Sequence, residues 1–263
     1  MAKQGDVSSD ADTAEDFGTI SSRDWLVKSF QDKVDLGIWT VGIDGGFSPD
    51  PFFIKWDLMY QGGDIENINY IDSASGLGRA GDFDVSAYFG HLDAGINFGN
   101  HKLTYTFWYA SGDDNPEDDD FEGFLATDLD RADSIAIMEG GYTDDDYFTE
   151  RPYILDKGFI MNKLALDSKI TDKLTVGGAL LYMMTAEEIE YTDNQGRLRK
   201  DDKIGLELDG YLKYKLYANV EFAINAGYLW ADDAMDFFEV EEIRDGSSDE
   251  DIFASTARIR YMF

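Results

Sequence analysis

The sequence predicts an all-β chain: an antiparallel transmembrane β-barrel, built as a meander of about nine to ten strands, with short periplasmic turns and long acidic extracellular loops. Three observations carry this expectation. Apolar and polar residues alternate through most of the chain from Val34 onward, the connections between runs are by turns short and long, and the chain ends in an alternating segment that stops on Phe263. In that segment Ala257, Ile259, Tyr261 and Phe263 fall on one face of a strand, and Thr256, Arg258, Arg260 and Met262 on the other. The final strand of a soluble sandwich ordinarily trails into polar residues, because termini lie in water. An aromatic ending suits a strand whose apolar face meets lipid, with Tyr261 and Phe263 at the periplasmic girdle and the arginines turned to the lumen.

Composition sets the frame. The 263 residues suit one barrel domain, taken as residues 32–263, preceded by residues 1–31 as an acidic N-terminal arm or a severed loop. An aromatic content of 14% with 26 glycines fits strands with girdles and tight turns. No stretch approaches the roughly 18–20 apolar residues of a membrane helix. The chain has 0 cysteines, compatible with a periplasmic route. Met1-Ala2-Lys3-Gln4-Gly5-Asp6 lacks the apolar run of a secretory signal, which points to a mature chain or a fragment. A formal charge of −32 argues against nucleic acid as a partner.

In chain order, strands are expected at about 34–47, 51–62, 83–98, 102–111, 158–170, 173–187, 203–217, 220–231 and 253–263. Tight turns are expected at Ser48-Pro49-Asp50, Gly99-Asn100-His101, Thr171-Asp172-Lys173 and Tyr217-Ala218-Asn219, where Pro, Gly, Asn and Asp supply turn chemistry. Long polar connections fall between them at about 63–82, 112–157, 188–202 and 232–252. Turns on one side and loops on the other is the arrangement of an outer-membrane barrel. The face code is clear in 203–217, where Leu206, Leu208, Leu212, Tyr214 and Leu216 alternate with Glu207, Asp209, Tyr211, Lys213 and Lys215.

Parity raises a question. A closed single-chain bacterial barrel has an even strand number. Either residues 20–31 add a short strand crossing upward, or this is the C-terminal part of a larger barrel whose other strands are missing or lie in another chain, a homo-oligomer included.

Charge sorts by position. The 112–157 connection is densely acidic, while the polar strand face carries Lys55, Lys102, Lys163, Lys169, Lys213, Lys215, Arg258 and Arg260 against Asp57, Asp167, Glu207, Asp209 and Glu221. Lys or Arg facing lipid at mid-bilayer costs about 2–4 kcal/mol, so these positions belong to a lumen. The expected pore-lining set is Lys55, Asp57, Lys102, Lys163, Asp167, Glu207, Asp209, Lys213, Lys215, Glu221, Arg258 and Arg260. Two readings follow: a solvated pore with a slight positive bias that favours anionic solutes, or a plugged lumen stitched by cross-strand ion pairs. In the acidic loop Asp113, Asp114, Asp118, Asp119 and Asp120 are hard oxygen ligands suited to Ca²⁺, without the spacing of an EF-hand; a solvated acidic loop is the plainer alternative.

The strand ending Tyr109-Ala110-Ser111-Gly112-Asp113-Asp114-Asn115-Pro116, followed by an acidic loop and Phe121 and Phe124, resembles the alginate-export type of outer-membrane β-barrel, porin-like channels of Gram-negative bacteria. The resemblance covers 105–124 best and 34–263 more loosely; the ending on Phe263 likewise resembles the C-terminal signature of bacterial outer-membrane proteins. It implies an Arg- and Lys-rich constriction conducting an anionic polysaccharide, with Lys102, Lys163, Lys213, Lys215, Arg258 and Arg260 in the lumen. The chain departs from such proteins in being shorter and in having few arginines.

Enzyme signatures are lacking. His91 and His101 are the only histidines, neither stands near a nucleophile motif, and no phosphate loop or Cys/His metal spacing occurs. The sequence therefore reads as a non-enzymatic outer-membrane channel for hydrophilic solutes, anionic ones included, needing no cofactor beyond Ca²⁺ in the loops. Its partners are the bilayer, lipopolysaccharide and solute. The alternative is a plugged interaction barrel whose acidic loops bind a divalent cation or a protein.

Overall fold

The computed structural model describes residues 5–8, 28–72, 77–115, 118, 120–125, 157–238, 245–248 and 251–262. Phe263, Asp119 and most of the 112–157 and N-terminal stretches lie outside the described residues. The strands are β1 (Gly5–Ser8), β2 (Lys28–Leu36), β3 (Trp39–Phe47), β4 (Phe52–Asp72), β5 (Leu77–Phe98), β6 (His101–Ala110), β7 (Asp120–Phe121), β8 (Phe159–Lys169), β9 (Leu174–Thr192), β10 (Leu198–Tyr217), β11 (Val220–Ala231) and β12 (Ile252–Tyr261). They form one sheet in the order β1-β2-β4-β5-β6-β8-β9-β10-β11-β12, with β3 also on β4 and β7 on β5. Apart from the short parallel β5–β7 contact, every pairing is antiparallel. The predicted meander is therefore present. Among the described residues it remains open, with β12 paired only to β11.

β2 and β3 both pair with β4 in the same sense, so they are one strand interrupted at Gly37 and Ile38. Residues 28–31 accordingly descend with β3 and supply no upward crossing; Lys28 pairs with Tyr70, far along β4. The rest of 20–31 lies outside the described residues.

Two expected long loops prove to be largely strand. β4 and β5 pair out to Asp72 and Leu77, and β9 and β10 pair out to Thr192 and Leu198. Polarity misled the sequence reading here: these hairpins keep their backbone ladder with only a few buried apolar residues, Ile65, Phe83, Ile189 and Tyr191, set among acids. β10 marks the change with a bulge at Lys203 to Gly205. Gly205 has φ +141°, and a Cβ there would lie 2.1 Å from the Trp230 carbonyl oxygen, so only glycine fits.

The two faces differ in an unusual direction. On β10 the charged Glu207 and Asp209 are 0% and 4% exposed, whereas Leu206 and Leu208 are 37% and 50% exposed. The inner face is polar toward the turns and becomes apolar at the loop end, where Met161, Leu181 and Met183 lie under folded-in segments; the outer face is Leu, Ile, Val, Tyr, Phe and Trp. That inverts the soluble rule. On the outer face Trp39, Tyr60 and Tyr88 form an aromatic ladder with centroids 5.4 Å and 5.1 Å apart, and Tyr228 and Trp230 meet at a tilt with centroids 5.0 Å apart. At the turn end stand Phe47, Phe52, Phe98, Tyr217 and Tyr261. Tyr88 and Phe98 are ten residues apart on β5, about 33 Å along the strand, or roughly 25 Å across a bilayer at a tilt of about 40°.

Several rings lie flat over glycines of the neighbouring strand. Phe53 covers Gly95, Trp56 covers Gly45, and Tyr211 covers Gly177, where a Cβ would sit 2.3 Å from the ring. The Tyr211 hydroxyl thereby reaches the Asp167 carboxylate. Gly177→Val should displace this ring and cost about 1–3 kcal/mol, read as a lower urea midpoint of the detergent-folded protein; an unchanged midpoint would show that the ring moves freely.

Candidate functional site: the charged inner face

Alternation places the whole expected pore-lining set on this inner face. The pairing registers arrange it in rows. One row runs Lys55, Asp93, Thr106, Lys163, Leu181, Glu207 across β4 to β10. A second runs Lys102, Asp167, Gly177, Tyr211, Asn225, Thr256 from β6 to β12. Nearer the turns, Lys215 faces Glu221, which faces Arg260; Lys213 and Arg258 flank Ala223. Asp57 pairs with His91, and Asp209 lies between Ala179 and Gly227. Lys163 and Asp209 are buried, while Lys55, Lys102, Lys215 and Arg260 are exposed. Cationic heads also rest on rings: Lys102 Nζ lies 4.8 Å from the Phe53 centroid and Lys213 Nζ 4.9 Å from that of Tyr211.

The sequence reading missed two acids on this face. Asp44 faces Asp57 and Asp93 faces Lys55. Both stand in period with residues already assigned inward, so the alternation contained the signal. Their charges nearly cancel the expected positive bias.

The buried His91 is held from two sides. Its Nδ1–H donates to Asp57 Oδ2 at 2.9 Å, and Nε2 lies 3.3 Å from Asp93 Oδ1. Thr106 Oγ1 donates to Asp93 Oδ1 at 2.6 Å. With both nitrogens facing carboxylates, this imidazole is a clasp between β4 and β5. His101 stacks on Phe98 at 5.3 Å, with Nδ1 2.8 Å from Ser168 Oγ.

Two loop segments fold onto the inner face at the long-loop end. The first follows β6. Its neck is a close crossing, where a Cβ on Gly112 would lie 2.2 Å from the Lys157 carbonyl oxygen. Ser111 Oγ donates to the Glu122 carbonyl at 2.6 Å and accepts from the Tyr88 amide at 2.8 Å. Phe121 packs with Ile65, Phe83 and Val85, and Phe124 stacks on Phe89 at 5.3 Å. Gln61 then straps the segment down: Oε1 accepts from the Leu125 amide at 2.8 Å, while Nε2 donates to the Leu125 carbonyl at 2.8 Å and to Thr40 Oγ1 at 3.2 Å.

The second segment follows β11. A 3-10 helix, Asp233–Phe238, buries Ala234, Met235 and Phe237 in a cluster with Leu181, Met183, Ile189, Tyr191 and Ile204. Its anchor is Asp236, whose Oδ2 accepts from Tyr191 OH at 2.6 Å and from the Gly246 amide at 3.0 Å. The β9–β10 hairpin tip closes the clasp. Asp193 Oδ2 accepts from Arg197 Nε at 2.7 Å and Arg199 Nε at 2.9 Å, and Arg199 Nη2 donates to the Asp245 carbonyl at 2.8 Å. Burial alone would raise the Asp193 carboxyl, but bonds from the Arg197 amide, the two guanidinium groups and the Gln195 amide hold it well below the usual carboxylate range.

Beside the neck the carboxylates crowd. Burial, then the charge of Asp114, raises Glu122; burial and Asp114 likewise raise Glu187, with Lys157 opposing. Of the expected calcium ligands, Asp119 lies outside the described residues. Among the described residues no group of three metal-ligating side chains occurs. Asp113 is buried under the Lys157 ammonium, which donates to its carbonyl at 2.9 Å, and Asp118 caps its own turn through Asn115 and the Asp120 amide. Asp114 and Asp120 are exposed.

No family model and no curated protein matches the chain. Solved structures of similar fold include the NanC porin, 11% identical with a TM-score of 0.32 over 74% of this chain and 69% of that one. The outer membrane protein OmpT of Vibrio cholerae is 12% identical with a TM-score of 0.38 over 87% and 56%. OccK5 (OpdH) of Pseudomonas aeruginosa is 14% identical with a TM-score of 0.41 over 88% and 52%. The chain thus spans little more than half the length of the last two. None of these matches is to the alginate-export type.

Two outcomes test this geometry. Gln61→Ala removes the strap and should cost about 1–3 kcal/mol locally, seen as faster hydrogen exchange at Leu125 with the Tyr88 amide still protected. Glu187→Gln should raise the unfolding temperature at pH 7. A carboxyl raised in the folded state destabilises it when ionised, and that penalty disappears as pH falls through its folded value towards its unfolded one. The variant's advantage should vanish over the same window.

Proposed function

We propose that this chain is the wall of an outer-membrane β-barrel channel that passes hydrophilic solutes passively. The observation that carries the reading is the inverted burial. Leu206 and Leu208 are open on the outside while Glu207 and Asp209 are covered on the inside, an arrangement stable only where the outer solvent is lipid and the inner one is water or protein. The band of roughly 25 Å between the aromatic girdles supports the same placement. The near balance of acids and bases on the wall favours small polar solutes without strong charge preference, so alginate or another polyanion is the narrower version of this reading and depends on the resemblance alone.

A second reading has its own support. The two segments anchored by Gln61 and Asp236 occupy the inner face, as a plug would. Single-channel recording separates the two. The assembly extracted from its own membrane in mild detergent should give discrete ohmic steps in a planar bilayer; silence from folded, inserted protein would favour the plugged barrel. Lys213→Glu with Lys215→Glu should move the reversal potential towards cation selectivity, and an unmoved potential would remove both lysines from the conduction path.

A further inference from the structure

The wall carries its charge in two zones of opposite sign. At the turn end the registers set Lys169, Thr175, Lys213, Ala223 and Arg258 in one row across β8 to β12. Every charged residue in that row is a cation, and the three stand on alternate strands, about 10 Å apart. The next row towards the turns adds Lys215 and Arg260 on either side of Glu221. At the loop end the sign reverses. The charge of Asp114 at the neck acts on both Glu122 and Glu187, with Lys157 opposing it at Glu187. In the second infolded segment Asp233 lies within the field of Asp201 and Asp232, with Lys203 opposing.

The zones are far apart. Asp201 and Lys213 are twelve residues apart on β10, about 40 Å along the strand. That is several times the Debye length of about 10 Å in 0.1 M salt, so each zone gathers its own counter-ions. Between them acids and bases interleave, with Lys55 facing Asp93 and Lys163 in one row with Glu207.

We infer that this wall makes the channel an ionic rectifier, which carries more current when the loop side is positive. The inference rests on the channel reading above and adds a direction to it. Cations gather at the acidic mouth and anions along the basic rows. With the loop side positive, cations move from the mouth towards the turns while anions move from the basic rows towards the loops, so both fill the stretch between. Reversed polarity draws both out of that stretch, and its depletion limits the current. In 1 M salt the Debye length falls to about 3 Å, the wall charge is screened and the steps are ohmic.

The test needs channels of known orientation. The chain has no cysteine, so biotin is attached through Gln195→Cys at the exposed β9–β10 tip, and the assembly from its own membrane is placed in vesicles at one per vesicle. Vesicles captured by streptavidin have their loops outward, and fusing them with a neutral-lipid bilayer turns the loops to the chamber of addition. In 0.1 M potassium chloride the current should be greater with the loop side positive, on the order of twofold, and equal at both polarities in 1 M. Lys169→Glu with Lys213→Glu and Arg258→Glu should bring the ratio towards unity, whereas Lys169→Arg with Lys213→Arg should preserve it. Equal currents in 0.1 M salt, or more current with the loop side negative, would overturn the inference and leave the channel reading standing. Silence at both polarities would overturn the channel reading itself.

Discussion

Every feature of this chain answers to one constraint: in hydrocarbon the backbone has no water to bond with. Each peptide group between the girdles must find a partner on a neighbouring strand, so the chain becomes a continuous ladder, β4 to β5 to β6 and onward through β12. Once the ladder is in place, alternation assigns the side chains. Leu208 goes to lipid and Asp209 to the interior because they are adjacent, and a one-residue slip would exchange them. The registers of β10 with β9 and β11 hold over the membrane-depth stretch without interruption from Gly205 to Lys213. The bulge comes at Lys203 to Gly205, toward the loop end, where such a slip would no longer cost as much.

The inner face solves the complementary problem. Charges turned away from lipid still need satisfaction, and the structure supplies it locally: carboxylates on both sides of His91, rings beneath Lys102 and Lys213, a hydroxyl on Asp167. This is why acids and bases interleave along rows rather than gather into one sign. A wall of this kind is stable with water in front of it and equally stable with protein in front of it. The segments anchored at Gln61 and Asp236 supply such protein at the long-loop end.

How much was legible follows from the same physics. The nine long strands could be read, β2 and β3 counted as one, because lipid on one face imposes period two on Leu, Tyr and Ile; the short β1 and β7 could not. The inward set could be read for the same reason, and Asp44 and Asp93 escaped only because the charges in their strands were not carried through the period. The hairpins above the membrane were not legible: in 63–65 and 188–192 only Ile65, Ile189 and Tyr191 are buried, too few apolar residues among the acids to mark a strand. Nor were the infolded segments. Phe121, Phe124 and Leu125 amid acids, and Met235 and Phe237 likewise, were the sole signs that loops expected to stand in water bury part of themselves. The calcium expectation sits in the 112–157 loop, where Asp119 and most of its neighbours lie outside the described residues.

The central claim is that the exposed apolar face meets lipid and the polar face does not. The chain has no cysteine, so single nitroxide labels can be placed at each position from Leu212 to Leu216 in reconstituted vesicles. Collision with oxygen, which concentrates in hydrocarbon, should peak at Leu212, Tyr214 and Leu216; collision with a water-soluble nickel chelate should peak at Lys213 and Lys215. Both reagents varying together, without the two-residue period, would contradict the account.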